Sequence, residues 1–356
     1  MNILFIGRLD YPPKQGGDAV QIENYKKIIS QKGHQVDIAS IISKPGDYDI
    51  VHLFNFSRLY DLAYQLKTKV KNSPVLILHS IHQKEEYLRR IKELGFKSPG
   101  SERIKFIVRN ILSHKFKLNQ LGFVFRNEKM LRHSLVKKID FFHFLSNKER
   151  TWFEEDLGIK IQDEKVIIFG NAVQNRITRT KNLKDREIDI FIPGRIEPQK
   201  NSINTIAALS VFNDKKICFA GQLNRYYKKY CNRFLRLIEK NKNINYMGST
   251  GFSEMEKLYN NSKSVVSLSL SEVAPLVELE ALSHGAVFVG TKRCATDCKN
   301  PDTSYQVDPE NLNEAVNHIR EIFKKIESGY VFKFPHINVW EEEMKPLLDL
   351  YKKIEK

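Results

Sequence analysis

Two stretches of the chain place charged side chains where an apolar run ends. In FIPGRIEPQKN (191–201), Gly194 is followed by Arg195 and, five positions later, by Lys200. A guanidinium offers phosphate oxygens a planar fork of donors and an ammonium adds a mobile point charge, so the pair suits a diphosphate better than either cation alone. The alternative is an ordinary solvated turn. In SLSLSEVAPLVELEALSHG (267–285), Glu272 follows a second apolar run, Pro275 stands where the first turn of a helix would begin, and Glu280 comes eight residues after Glu272. A helix N-terminus presents unpaired N–H groups and the positive end of its dipole, a ready phosphate site. A carboxylate one turn inside, such as Glu280, suits a vicinal diol like ribose, and Glu272 in the loop suits a neutral polyol such as a sugar ring. Glu278, about 200° around the helix from Glu280, is expected to be a solvated carboxylate.

A third loop, in YPPKQGGDAVQIENYKKIISQKGHQVDI (11–38), carries Gly16 and Gly17 between a strand and a helix, where the backbone can approach a ligand closely. The chain contains neither the GxGxxG of dinucleotide binders nor the GxxxxGK[ST] of a P-loop, which argues against dehydrogenase and NTPase chemistry. Cys218, Cys231, Cys294 and Cys298 include one C-x3-C pair with no second pair or nearby histidine, so they read as free thiols and no metal ligand set is expected. The acidic DYD at 47–49 directly precedes a strand and reads as a turn.

These loops need rigid elements to hold them. Apolar runs rich in Val, Ile and Phe alternate with helical patterns, as expected of parallel sheets covered on both faces. Strands are expected at 2–6, 35–41, 49–54, 74–79, 141–146 and 165–169, then, beyond the charged linker-like stretch 178–186, at 189–193, 216–221, 244–248, 264–270 and 286–290. The expected fold class is α/β, with two Rossmann-like doubly wound parallel-sheet domains facing a cleft. The first spans 1–177, the second 187–335, and an amphipathic closing helix at 336–356 returns toward the first. Ligands in such sheets bind at the carboxyl ends of the strands. The opening residues lack a signal-peptide h-region and no apolar run approaches 18 residues, so a cytoplasmic location is expected.

On these residues the chain resembles a retaining glycosyltransferase of the GT-B fold, family 4 (glycosyl transferases group 1). GRIEPQKN matches that family's G-R-x-x-x-x-K block, Glu272 to Glu280 its E-x7-E motif, and LEALSHGA the continuation. The GG loop with QKGHQV, DIVHLFN, NAV at 171–173, FAG at 219–221, YNNSKSVVSLSLSE and VDPENLNEAV follow in the family's order over nearly the whole chain. The resemblance implies that Arg195 and Lys200, with Gly16 and Gly17, hold the diphosphate of a nucleotide sugar, Glu280 its ribose and Glu272 the transferred sugar. The loop backbone at Ala274, Leu276 and Gly221 would lie beside the donor. It also implies no metal, no other cofactor and no protein nucleophile. His79 is similar in placement to the histidine that the family sets near the donor sugar, and His82 is its rival, because SIHQKEEY resembles a subgroup acting on bacterial surface polysaccharide. The family's E-G-F-G is replaced by Glu272-Val273-Ala274-Pro275, which removes two glycines and one N–H donor.

The net charge of +16 is concentrated, since residues 84–138 hold fifteen Lys and Arg against five Glu and no Asp. Basic and apolar residues alternate there, as in segments that rest on an anionic leaflet. The segment points to peripheral attachment at the cytoplasmic face of the inner membrane, where a polyprenyl-diphosphate-linked or other glycan acceptor would be met. Competing readings are a nucleotide-sugar 2-epimerase or hydrolase on the same fold, an inactive nucleotide-sugar-binding module, and a basic nucleic-acid binder. For the last, no helix-turn-helix, zinc finger or aromatic-basic RNA motif is recognisable, so nucleic acid is not an expected partner.

Overall fold

Each expected apolar run pairs in parallel with another, and the pairings build two six-stranded sheets in the computed structural model, which describes residues 1–11, 17–95, 106, 127–175, 181–298 and 300–355. The first sheet contains β1 (Asn2–Ile6), β2 (Gln35–Ile38), β3 (Ile50–Phe54), β4 (Val75–His79), β5 (Phe141–Phe144) and β6 (Val166–Ile168), in the order β2-β1-β3-β4-β5-β6. The second contains β7 (Ile188–Pro193), β8 (Ile217–Ala220), β9 (Ile244–Tyr246), β10 (Ser262–Ser267), β11 (Val287–Thr291) and β12 (Ser304–Val307), in the order β12-β11-β10-β7-β8-β9. Helices of 3.6-residue period connect the strands, and the α/β class with two Rossmann-like doubly wound sheets is as expected. β12 was not expected, because SYQV is not an apolar run. It is an edge strand, held by its register with β11 from Phe288↔Ser304 to Thr291↔Val307, and an edge needs less apolar surface than a central strand.

The chain divides into two compact units, one of Met1–Lys84, Lys97–Asn171 and Trp340–Lys356, the other of Glu85–Phe96 and Ala172–Val339. Helix Glu85–Glu93 thus clusters with the second unit, where the sequence division put it in the first. There Arg90 pairs with Glu310 at 2.8 Å, the same carboxylate takes Arg293 at 2.6 Å, and the Arg293 guanidinium lies over the Tyr87 ring.

In the first unit the core lies beneath β1, β3, β4 and β5, around Leu4, Leu53, Leu78 and Phe144. The C-terminal segment adds Trp340, Met344, Leu347 and Tyr351 to buried positions. It is two helices rather than one, Trp340–Glu343 and Lys345–Ile354, because Pro346 falls in the first turn of the second, where its missing N–H costs nothing. Asp49 accepts the N–H of Asn2 at 2.7 Å, so the DYD stretch fastens the start of β1. In the second unit, Ile190, Phe219, Val266 and Val289 from four strands pack with Leu209, Phe234 and Ile319 from the covering helices. Of the charged stretch 178–186, residues 178–180 lie outside the described residues. Arg186 is a buried staple, not part of a solvated linker, donating to the carbonyls of Ser262 (2.8 Å) and His284 (2.7 Å).

Strand order reverses at one place in each sheet, between β1 and β3 in the first and between β7 and β10 in the second. Loops leaving such neighbouring strands part to opposite faces and leave a crevice at their carboxyl ends.

Candidate functional site

In the second unit β7 and β10 are hydrogen-bonded neighbours, with Ile190 beside Ser264 and Phe191 beside Val265. The loops that follow them are GRIEPQK and LSLSEVAP, so the two stretches that carry the charged residues leave the sheet side by side. They are braced to each other: Leu270 N–H donates to Gln199 O at 2.8 Å and Gln199 Nε2 to Ser271 O at 3.0 Å. Lys200 closes a short 3-10 turn, Pro198–Lys200, and Asn201 follows it in the left-handed region at φ 57°, a conformation that Asn tolerates better than most residues.

The Lys200 ammonium is ion-paired with the Glu272 carboxylate. Both are largely shielded, at 23% and 13% side-chain exposure, so the pair is only partly screened by water. Glu272 is fixed from behind as well, its N–H donating to Arg293 O at 3.0 Å. Arg195 is half exposed, at 53%, and one arm of its fork lies 2.9 Å from Glu197. Glu197 is itself buried and takes the Asn224 amide at 2.5 Å. Sequence reading passed over Glu197, although its place two residues after Arg195 was visible.

The loop after β8 crosses this site. Gly221 has φ 147°, and a Cβ there would come 2.0 Å from the carbonyl oxygen of Gly194. Only glycine allows the two chains to pass. Gly194 N–H reaches Ala220 O at 2.9 Å and Gly221 N–H reaches Gly248 O at 2.7 Å, so the crossing is held on both sides.

Helix Leu276–Ser283 begins after Pro275, which is its N-cap residue. Ala274 and Leu276 flank that cap and are half-buried. Glu280, one turn in, accepts the Tyr259 hydroxyl at 2.5 Å. Burial pushes its carboxyl above the usual range, and the Tyr259 bond works against that shift. The expectation for Glu278 is overturned. It is 1% exposed and accepts the Ser304 hydroxyl at 2.7 Å, because β12, which the sequence did not reveal, covers that side of the helix.

In the first unit Gly17 opens helix Gly17–Gln31 and is exposed, with open space where a Cβ would stand, while Gly16 lies outside the described residues. His79 ends β4 but turns inward and is 1% exposed. Its Nε2 lies 2.6 Å from His52 Nδ1 and its Nδ1 lies 2.7 Å from His143 Nδ1. Both ring nitrogens are therefore occupied inside the core, and the catalytic role expected for His79 does not fit this placement. His82 stands at the strand's carboxyl end, with Nε2 2.7 Å from Asp156 Oδ2. Between them Ile81 has φ 45°, a costly conformation for a β-branched residue. Glu149 holds this loop: fully buried, it takes the Ser80 hydroxyl and the N–H groups of His82 (2.7 Å) and Leu145 (2.6 Å). The sequence signal for Glu149 was the S-x-x-E capping box that starts at Ser146, whose hydroxyl accepts Glu149 N–H at 3.0 Å.

The remaining expectations fall partly outside the described residues. Most of the basic segment 84–138 does so, leaving helices Glu85–Glu93 and Glu128–Val136. Among the described residues no helix is long and apolar enough to cross a membrane. The four cysteines are free thiols.

Residues 173–328 match the family described as Glycosyl transferases group 1. No curated protein sequence matches the chain. Among solved structures, sucrose-phosphate synthase from Thermosynechococcus elongatus superimposes with a TM-score of 0.69 at 12% identity, covering 99% of each chain. Anabaena Alr3699/HepE in complex with UDP gives 0.62 at 14% identity, covering 92% of this chain and 91% of that one. The lipopolysaccharide outer core galactosyltransferase WaaB gives 0.57 at 11% identity, covering 97% and 94%. At these identities the structural likeness establishes the GT-B glycosyltransferase fold. The group 1 domain, with these neighbours, supports a transferase that acts on glycosyl groups.

Proposed function

We propose that the protein is a retaining glycosyltransferase of the family 4 type. It moves a sugar from a nucleotide-diphosphate sugar to a glycan or polyprenyl-diphosphate-linked acceptor in bacterial surface-polysaccharide assembly, of the lipopolysaccharide, capsule or O-antigen kind. The observation that carries this reading is that Lys200 and Glu272 leave adjacent parallel strands at the strand-order reversal and meet as an ion pair. A cation and a carboxylate at one crevice match the two ends of such a donor, an anionic diphosphate and a neutral, hydroxyl-rich sugar. The Anabaena neighbour's UDP and the galactosyltransferase neighbour support the same class.

In this reading Arg195 and Lys200 take the diphosphate, with the backbone at Gly221 allowing close approach. Glu280 accepts the ribose hydroxyls and Glu272 those of the transferred sugar. As the bond from the anomeric carbon to the leaving phosphate breaks, negative charge grows on the nucleotide, and the pull of the two cations grows with it. That is transition-state stabilisation supplied by side chains rather than by a metal ion. The acceptor hydroxyl bonds to the anomeric carbon from the face the phosphate leaves, its proton passes to a phosphate oxygen, and the nucleoside diphosphate departs. No protein nucleophile is needed. The basic stretch 84–138 brings the enzyme to an anionic membrane surface.

Thermal-shift screening against UDP-, GDP- and ADP-sugars tests the reading. One donor class is expected to raise the melting temperature, and Arg195→Ala with Lys200→Ala is expected to abolish the shift. A shift that survives the double substitution, or none with any donor, overturns it.

A further inference from the structure

The Lys200–Glu272 pair bears on how this site tells its donor from its product, an inference that rests on the function proposed above. A nucleotide sugar and the nucleoside diphosphate left after transfer share the same diphosphate, so a site that only gripped phosphate would hold the product as firmly as the donor. We infer that Glu272 is the discriminating residue: it competes with diphosphate for the Lys200 ammonium and yields only when sugar hydroxyls are present to receive it.

The geometry singles out this pair and not its neighbour. Arg195 carries five N–H donors in a planar fork and meets Glu197 along one arm, so at 53% exposure it can hold Glu197 and a phosphate oxygen on different edges. Lysine is a point charge. An anion drawn to the shielded Lys200 ammonium would lie close to the Glu272 carboxylate, and like charges at such separations in a partly desolvated site repel strongly. Glu272 must then turn away. It is anchored at its own N–H by Arg293 O, and its loop is braced to the Lys200 turn through Leu270 and Gln199, so its side chain moves while its backbone stays.

With a nucleotide sugar, the displaced carboxylate finds hydroxyl donors. With a nucleoside diphosphate it finds none, and the charge is left unpaired at a cost. The same competition acts after transfer: once the sugar has gone to the acceptor, Glu272 loses its hydroxyl partners, returns to Lys200 and speeds product release.

Isothermal titration of the full chain with UDP, GDP and ADP, each beside its glucose ester, and with inorganic pyrophosphate tests this. Glu272→Gln, which keeps the size and hydrogen-bonding capacity but removes the charge, should bind the nucleoside diphosphate and pyrophosphate about tenfold more tightly than wild type. It should bind the nucleotide sugar no better. In a Lys200→Ala background the same substitution should leave nucleoside diphosphate affinity unchanged within about twofold, because the competition runs through that ammonium. Unchanged or weaker diphosphate binding by Glu272→Gln overturns the inference and leaves the proposed function standing. So does equal tightening in the Lys200→Ala background, which would mark a general field effect. Failure of the wild-type protein to bind any of these nucleotides or glucose esters overturns both.

Discussion

His52 Nδ1 lies 2.6 Å from His79 Nε2, on neighbouring strands β3 and β4 inside the first unit. The contact is one link of a chain whose direction is fixed from one end. The Phe169 carbonyl can only accept, so His143 Nε2 donates to it at 3.0 Å. His143 Nδ1 then accepts from His79 Nδ1 at 2.7 Å, His79 Nε2 accepts from His52 Nδ1, and His52 Nε2 accepts the Tyr351 hydroxyl at 2.5 Å. Every bond already holds its hydrogen with all three rings neutral. A further proton would set two donors face to face.

Stability of the first unit should therefore fall in acid. Burial holds His52 and His143 down to about 3, and burial with the neighbouring histidines holds His79 well below 6.5. These three groups stabilise the fold above their unfolded value and lose that contribution as pH falls below it. Glu149 has the opposite sign: burial pushes it up to about 7, so its contribution is present below its unfolded value and fades as pH rises. Between about pH 4.5 and 6.5 the unfolded chain binds three more protons at the histidines and the folded one holds one more at Glu149. The net difference, of the order of two protons in the middle of that window, lowers the unfolding free energy by a few kcal/mol on acidification across it. Trp152 and Trp340 are the only tryptophans and both belong to this unit, so urea unfolding followed by tryptophan fluorescence reads it alone. A flat pH profile across that window would refute the neutral chain.

Tyr351→Phe removes the hydroxyl that donates to His52 Nε2 and, among the described residues, leaves that buried acceptor unsatisfied. The expected loss is about 2 kcal/mol of first-unit stability, with nucleotide-sugar affinity unchanged. Matched urea curves and titrations of the variant check both halves.

Gly221→Ala forces a methyl group into the Gly194 carbonyl and should cost about 3 kcal/mol or more, or displace the GRIEPQK loop with loss of donor binding. Gly33→Ala is the control. Its φ of 90° is also left-handed, but nothing stands within 4 Å, so only conformational strain of about 1–2 kcal/mol is expected. Equal melting temperatures for the two variants would contradict the crowding.

Glu280→Ala should weaken binding of a ribonucleotide donor about tenfold or more and erase any preference over the 2′-deoxy analogue. Tyr259→Phe, which removes the hydroxyl donated to Glu280, should keep the preference. Competition titrations with paired ribo and deoxy nucleotides distinguish the two.

Flotation with anionic vesicles should carry the protein upward at low salt and release it at high salt, since attraction to a charged leaflet is screened within about 10 Å at 0.1 M salt. Failure to float at low salt removes the membrane-facing role of residues 84–138.

Much of the fold could be read from the sequence, because parallel strands covered on both faces are nearly continuous apolar runs, as at NILFI and PVLILH. Strand β12 escaped because an edge strand can be as polar as SYQV, and with it went the cover over Glu278. Helical phase gave the angle between Glu278 and Glu280 but not what packs on each side. Lys200 and Glu272 stood out because charges just beyond apolar runs are conspicuous, and the neighbouring strands β7 and β10 bring those two together. His79 misled for the opposite reason: a histidine ending a strand can point along the sheet or into it, and only its neighbours, His52 from 27 positions earlier and His143 from 64 later, decide which.

The first unit is assembled from segments that lie on both sides of the second in the sequence, with Tyr351 completing a line of bonds that begins at the Phe169 carbonyl. In the order of the sequence the second unit is complete at Val339, before the helices that finish the first. Released chains truncated after residue 339 should hold a protease-resistant second unit beside a loose first one, and expressing residues 1–171 alone should yield an incomplete body rather than an independent half.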